Sequence, residues 1–96
     1  MRFMVVEHYV KGPGPVYEFA ARHGRMLPDG LRYIDSWVVA DGVFDRCFQL
    51  METDDPSLFE RWTQRWDGLT EFEIYPVIES SDAAQRVAVT WDGSAD

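Results

Sequence analysis

His8, Cys47 and the carboxylates are the side chains of this chain that could exchange protons, attack a substrate or bind a metal. His8 lies beside Glu7 in an apolar segment near the N-terminus. A histidine ionises near neutral pH and can act as a general acid or base in a cavity. Adjacent strand residues point to opposite faces of a sheet, so His8 and Glu7 cannot form a local dyad. His8 is therefore either the polar end of a cavity or a structural histidine with a hydrogen-bonding partner.

Nucleophilic cysteine chemistry and metal binding are both disfavoured. A reactive Cys47 would need a nearby base or positive charge, and its neighbour Arg46 points to the other face of a strand. We therefore interpret Cys47 as a small buried apolar residue. A metal needs several converging ligands, and the nitrogen and sulfur donors His8, His23 and Cys47 are far apart in the sequence. The sequence predicts no metal site and no cofactor.

The charge balance excludes two classes of partner. The chain has 96 residues, with 9 basic and 17 acidic side chains and a formal net charge of −8. Nucleic-acid binding and attraction to an anionic membrane both need clustered positive charge, which is missing here. One cysteine excludes an internal disulfide, and no apolar run is long enough for a signal peptide or a membrane span. We expect a single domain in the cytoplasm.

Periodic apolar patterns predict the order strand, helix, strand, strand, helix, strand. The predicted strands cover residues 3–10, 31–40, 43–52 and 70–78. The first helix covers 15–23, and the second starts at 55–56 and stops at Gly68. This order is typical of the ferredoxin-like βαββαβ fold, an α+β fold with a four-stranded antiparallel sheet and two helices on one face. Trp62 and Trp66 lie on the apolar stripe of the second helix and are predicted to be core residues.

The C-terminal tail, residues 80–96, is predicted to pack on the domain or on a partner protomer. Ser81 could begin a helix there. Alternatively, Val87, Val89 and Trp91 alternate as in a strand. Periodicity does not decide between the two.

Several strings in these elements resemble a bacterial family of domains of unknown function, usually placed in the dimeric α/β-barrel superfamily. The likeness covers residues 1–79 and is most specific from Asp54 to Trp66. Members often have a histidine directly after the tryptophan of the second strand, where this chain has Val38. The strings are Pro28-Asp29-Gly30-Leu31, Trp37, Glu52-Thr53-Asp54-Asp55-Pro56, Trp62, Trp66, Phe72-Glu73-Ile74 and Pro76-Val77-Ile78.

The resemblance implies a homodimer in which two protomers pack sheet to sheet into a barrel. It also implies a space for small organic molecules, within the barrel or between sheet and helices. Related proteins of the superfamily include cofactor-free monooxygenases, lactone isomerases and haem-handling enzymes.

The hairpin between the second and third strands sorts the faces of the sheet. A two-residue turn at Asp41-Gly42 places Trp37 opposite Arg46 and Ser36 opposite Cys47. A three-residue turn or a bulge would instead put Trp37 with Cys47 and Gln49. In the first case one face carries Tyr33, Asp35, Trp37, Phe44, Phe48 and Leu50, and the other carries Ile34, Ser36, Val38, Cys47, Gln49 and Met51. The first set is bulkier and is predicted to pack against the helices, and the second to line a cavity or a dimer interface.

Together with the residue patterns, the resemblance implies a homodimer that binds a small, partly apolar molecule. If it is an enzyme, the superfamily favours a cofactor-free oxygenase or isomerase. The alternative is a non-catalytic dimeric module with a structural, stress-related or regulatory role, whose barrel is filled by its own side chains. A well-formed pocket with converging polar groups would favour the first function. The candidate pocket residues are His8, Ser36, Trp37, Cys47 and Gln49.

Overall fold

The computed structural model describes residues 1–90, and the side chains of residues 1–88. None of the helices in this part of the chain is long and apolar enough to span a membrane. The elements are β1 (Arg2–Tyr9), α1 (Pro13–His23), β2 (Arg32–Val38), β3 (Arg46–Glu52), α2 (Leu58–Gln64), β4 (Thr70–Val77) and α3 (Ser80–Thr90).

The four strands form one antiparallel sheet in the order β2-β3-β1-β4. The predicted α+β class, element order and antiparallel sheet are confirmed, and the strand order fits the split βαβ pattern. The structure adds a third helix, α3, which follows the helical alternative for the tail. Trp91, the last residue of the strand alternative, lies outside the described residues.

Two prolines and a glycine set the limits of α1. The helix starts at Pro13, two residues before the predicted start at Pro15. A proline suits the first turn because its φ is already helical and its missing N–H would be unpaired there. The helix ends at His23, before Gly24 with φ 67°. That conformation favours glycine and breaks the helix.

Helices α1 and α2 pack on one face of the sheet and form the core with it. Phe3 of β1 contacts Phe59 of α2 edge to face, with ring centroids 5.0 Å apart. Trp62 contacts Phe72 of β4 at 5.2 Å. Trp62 and Trp66 are 1 % and 6 % exposed, which confirms the predicted core role of both. We call this side of the sheet the covered face.

The prediction of which face the helices cover was wrong. The covered face carries Ser36, Cys47 and Gln49, while Trp37 and Phe48 lie on the opposite side, which we call the open face. Bulky strand residues occur on both faces: Phe3 and Met51 lie in the core under the helices, whereas Trp37 and Phe48 lie on the open face. Bulk on a strand therefore did not identify the covered face.

The two-residue turn at Asp41-Gly42 was also wrong. Strand β2 ends at Val38 and β3 begins at Arg46, so residues 39–45 form a longer loop. Asp41 Oδ1 accepts hydrogen bonds from the backbone N–H groups of Val43 and Phe44, at 2.9 and 3.1 Å. The aspartate thus stabilises an open loop rather than a tight hairpin.

The longer loop moves the β2–β3 pairing by two residues. Trp37 pairs with Phe48, and Ser36 pairs with Gln49. A shift of two keeps the side chains from Asp35 to Val38 on their predicted faces, because the strand period is two. An irregularity between Tyr33 and Asp35 places Tyr33 opposite Met51 on the covered face, and Phe44 lies in the loop.

Candidate functional site

A cavity of about 260 Å³ opens between the covered face and helices α1 and α2. Side chains of α1, of α2 and of the turn that follows α2 form its apolar walls, and strand side chains form a more polar floor. Arg25, in the connection from α1 to β2, and Tyr17 of α1 are exposed residues on its lining. The walls include Val16, Ala20, Trp62 and Trp66, and the floor includes Glu7, Tyr9, Ser36, Val38, Cys47 and Gln49.

A buried carboxyl–amide pair lies on the floor of the cavity. Glu7 of β1 and Gln49 of β3 are only 4 % and 8 % exposed. Gln49 Nε2 donates a hydrogen bond to Glu7 Oε2. Gln49 Oε1 is buried and accepts no hydrogen bond from any of the described residues. Most buried polar atoms have a partner, so this oxygen marks a place where a further donor would be stabilising.

Burial raises the pKa of Glu7 to about 7. Removal from water disfavours the carboxylate, and this outweighs the hydrogen bonds with Tyr9 and Gln49 and the positive charge of Arg25, which act in the opposite direction. Glu7 can therefore release or take up a proton near neutral pH, as a general acid or base must.

The thiol of Cys47 and the phenol of Tyr9 are not activated. Burial raises the pKa of both groups, and the charge of Glu7 acts in the same direction. Both therefore keep their protons at neutral pH. Cys47 is a free, buried cysteine, as the apolar interpretation of this residue predicted. No group of three or more histidine, cysteine or carboxylate side chains within residues 1–90 is placed to hold a metal.

The α1–β2 connection is attached to α2 and to the turn that follows it through the two core tryptophans. The backbone oxygen of Arg25 accepts hydrogen bonds from Trp62 Nε1 at 2.9 Å and Trp66 Nε1 at 3.3 Å. The guanidinium group of Arg25 stacks on the Tyr33 ring, 3.6 Å from its centroid. A positive charge is thereby fixed beside the cavity.

The structure brings some of the predicted pocket residues together and separates others. Ser36, Cys47 and Gln49 line the cavity. His8 and Trp37 lie on the open face, because they alternate with cavity residues along β1 and β2. His8 is half exposed: its Nε2 lies 3.6 Å from Asp45 Oδ2, and its Nδ1 lies 3.9 Å from Glu71 Oε2.

Sequence reasoning missed Glu7, Tyr9 and Arg25 as cavity residues. Glu7 interrupts an alternating row of apolar residues, which is the same signal that singled out His8 in the neighbouring row. The two signals are equal in strength because each residue follows two apolar residues of its own row, Phe3 and Val5 for Glu7 and Met4 and Val6 for His8. Arg25 lies in an irregular connection, where no periodic pattern could have indicated its position.

A family model described as "Domain of unknown function (DUF3303)" matches residues 1–90. The match includes every helix and strand described above, and the chain belongs to this family. The expected membership of a family of domains of unknown function is thus confirmed. The searches of curated proteins and of solved structures gave no match.

Proposed function

We propose that this protein binds a small, partly apolar molecule in the cavity between the sheet and helices α1 and α2. The observation that carries the proposal is the buried Glu7–Gln49 pair on the floor of an apolar cavity. Small-molecule sites combine apolar walls with a few placed polar groups, in volumes of roughly 300–1,000 Å³. The cavity, at about 260 Å³, lies just below this range and therefore suits a small ligand of one or two rings.

The cavity favours this function over the alternative of a dimeric module filled by its own side chains. Trp62 and Trp66 form part of the wall and leave the space between them and the floor open. The polar groups of Glu7, Ser36 and Gln49 converge on that space. A purely structural core would gain stability from an apolar residue in place of the buried glutamate.

Calorimetric titration with 2-naphthol, a flat two-ring alcohol, tests the proposed site. Ala20 lies on the cavity wall and Ala21 is an exposed neighbour on the same helix. Ala20→Phe should fill the cavity and abolish binding, whereas the matched control Ala21→Phe should bind like the wild type. Equal binding by all three proteins would place the probe elsewhere and contradict the proposal.

We also propose that the protein is a homodimer of the α/β-barrel type, assembled through the open face. Helices α1 and α2 both pack on the other side of the sheet. On the open face, Trp37 and Tyr75 are 51 % and 50 % exposed, and Phe48 and Leu50 lie half-buried between them. Apolar patches of this kind are unusual on monomers and mark association surfaces.

Sedimentation equilibrium at micromolar concentration tests the dimer. The wild type should sediment at twice the chain mass of 11.1 kDa. Leu50→Glu places a charge in the apolar interface and should yield monomers, while Ala21→Glu on the exposed side of α1 should remain dimeric. A single monomeric species in the wild type would refute the assembly.

The ionisation of Glu7 supports a second candidate function, isomerisation by proton transfer. A base with a pKa of about 7 can remove a proton from a carbon next to a carbonyl group and return it at another carbon. No external oxidant or reductant is needed for such a step. The test is hydrogen–deuterium exchange of 2-tetralone in deuterium oxide, followed by NMR. Catalysed exchange by the wild type and its loss in Glu7→Gln are expected, and equal rates with and without protein would exclude the reaction for this ketone.

A further inference from the structure

The unpaired oxygen of Gln49 identifies the chemistry that is missing from the cavity. Gln49 lines the cavity and is more than nine-tenths buried. Its Oε1 accepts no hydrogen bond from the residues that the structure describes. An amide oxygen can accept two hydrogen bonds and cannot donate one. A group that satisfies Oε1 must therefore carry an O–H or N–H.

Glu7 fixes which end of the Gln49 amide is available. An ionised carboxylate only accepts hydrogen bonds, so the amide must turn its NH₂ group toward Glu7. This is the observed arrangement, with Nε2 donating to Glu7 Oε2. The amide oxygen is thereby left for a ligand. The charge of Glu7 also polarises the amide and makes Oε1 a stronger acceptor.

We infer that the cavity recognises a flat, largely apolar molecule through a hydroxyl or N–H group that donates to Gln49 Oε1. The inference rests on the proposed function and specifies its ligand class: phenols and related aromatic alcohols or amines, in preference to their ethers. The apolar body would pack against Trp62 and Trp66, which form the opposite wall. Aromatic rings stack well on indoles.

The same arrangement makes recognition dependent on pH. The titratable or charged groups that face Glu7 are Tyr9 of β1, Tyr17 of α1, Arg25 of the α1–β2 connection and Cys47 of β3. Helix α2 faces it with Trp62, and strand β4 with Thr70 and Phe72, none of which titrates. The pKa values of Tyr9, Tyr17 and Cys47 are all raised, and an arginine stays charged.

Glu7 is therefore the group of this set whose charge changes near neutral pH. When Glu7 takes up a proton, its carboxyl group can donate a hydrogen bond to Gln49 Oε1. This oxygen is then already paired within the protein and is less available to the ligand. Affinity for a donor ligand should accordingly fall as the pH decreases through about 7. An ether, which has no proton to donate, should show no such dependence.

The experiment compares 2-naphthol with 2-methoxynaphthalene by calorimetric titration of the full chain at about pH 8 and about pH 6. At the higher pH the alcohol should bind roughly 10-fold more tightly, the usual size of one hydrogen bond to a buried acceptor. The difference should shrink at the lower pH. In Glu7→Gln the difference in affinity between the alcohol and the ether should be independent of pH, because the glutamine at this position does not titrate.

Gln49→Met tests the acceptor directly. It should remove the preference for the alcohol, whereas Gln64→Met, at an exposed position on α2, should retain it. The comparison of the two probes on the wild type needs no variant and so stands even if Gln49→Met unfolds. Equal affinity of the wild type for the alcohol and the ether would overturn the inference and leave the cavity as a ligand site. Failure of both probes to bind would overturn the inference and contradict the proposed function as well.

Discussion

The two faces of the sheet present the same sequence pattern in opposite physical settings. Each has a titratable residue of β1 that follows two apolar residues of its row: Glu7 on the covered face and His8 on the open face. Helices bury Glu7, and burial raises its pKa to about 7. His8 is half exposed between Asp45 and Glu71. The comparison shows that the covering helices, and not the strand pattern, determine which residue acquires unusual chemistry.

The largest expected difference between the faces concerns their tryptophans. Trp62 is 1 % exposed in the core, and Trp37 is 51 % exposed on the open face. Trp62→Ala should cost about 3–5 kcal/mol of unfolding free energy, because it removes a buried aromatic side chain and leaves a cavity. Trp37→Ala should cost less than about 1 kcal/mol in a monomeric background such as Leu50→Glu. Urea unfolding measures both, and similar losses would show that the two faces are equally buried.

The sequence predicted the fold because its local signals agree with the final packing. Alternating apolar residues predicted the strands, and Pro15, Gly24 and Gly68 predicted helix limits within a few residues of those observed. The grouping of Ser36, Cys47 and Gln49 on one side also followed, because a register shift of two preserves strand faces. These inferences depend only on the period of each element.

The covered side and the buried site could not be predicted in the same way. Alternation divides a strand into two sets of residues but does not say which set meets the helices. The sequence therefore predicted, wrongly, that Trp37 and Phe48 pack against the helices. The loop after Val38 depends on the side chain of Asp41 bonding to backbone N–H groups, and the same Asp-Gly pair also fits a tight turn.

Glu7 of the covered face should make the stability of the protein depend on pH. The pKa of Glu7 is raised from 4.5 to about 7, so between these values the folded protein holds a proton that the unfolded chain releases. Its contribution is fully present below the unfolded value and is lost as the pH rises through the folded value. The change amounts to about 3 kcal/mol.

Urea unfolding from about pH 4 to about pH 8 tests this dependence. The stability of Glu7→Gln relative to wild type should rise across that range, because glutamine carries no charge to bury. Glu71→Gln, on the exposed side of β4, is the matched control and should follow the wild type more closely. A constant difference between Glu7→Gln and wild type would mean that Glu7 ionises in the folded protein as it does in the unfolded chain.

The smallest expected effect is that of His8→Ala on ligand binding. The sequence predicted His8 at the polar end of a cavity, whereas the structure places it across the sheet from the cavity described here. Its contacts with Asp45 and Glu71 are long and largely exposed, so their loss should change stability by less than about 1 kcal/mol.

Saturating 2-naphthol should therefore stabilise wild type and His8→Ala equally, by about 2.7 kcal/mol at a hundred times the dissociation constant. Gln49→Met, which alters the cavity floor, should gain less at the same concentration of the alcohol. Thermal unfolding with and without 2-naphthol measures all three proteins. A smaller gain in His8→Ala than in Gln49→Met would move the ligand to the open face and reverse the roles assigned to the two sides of the sheet.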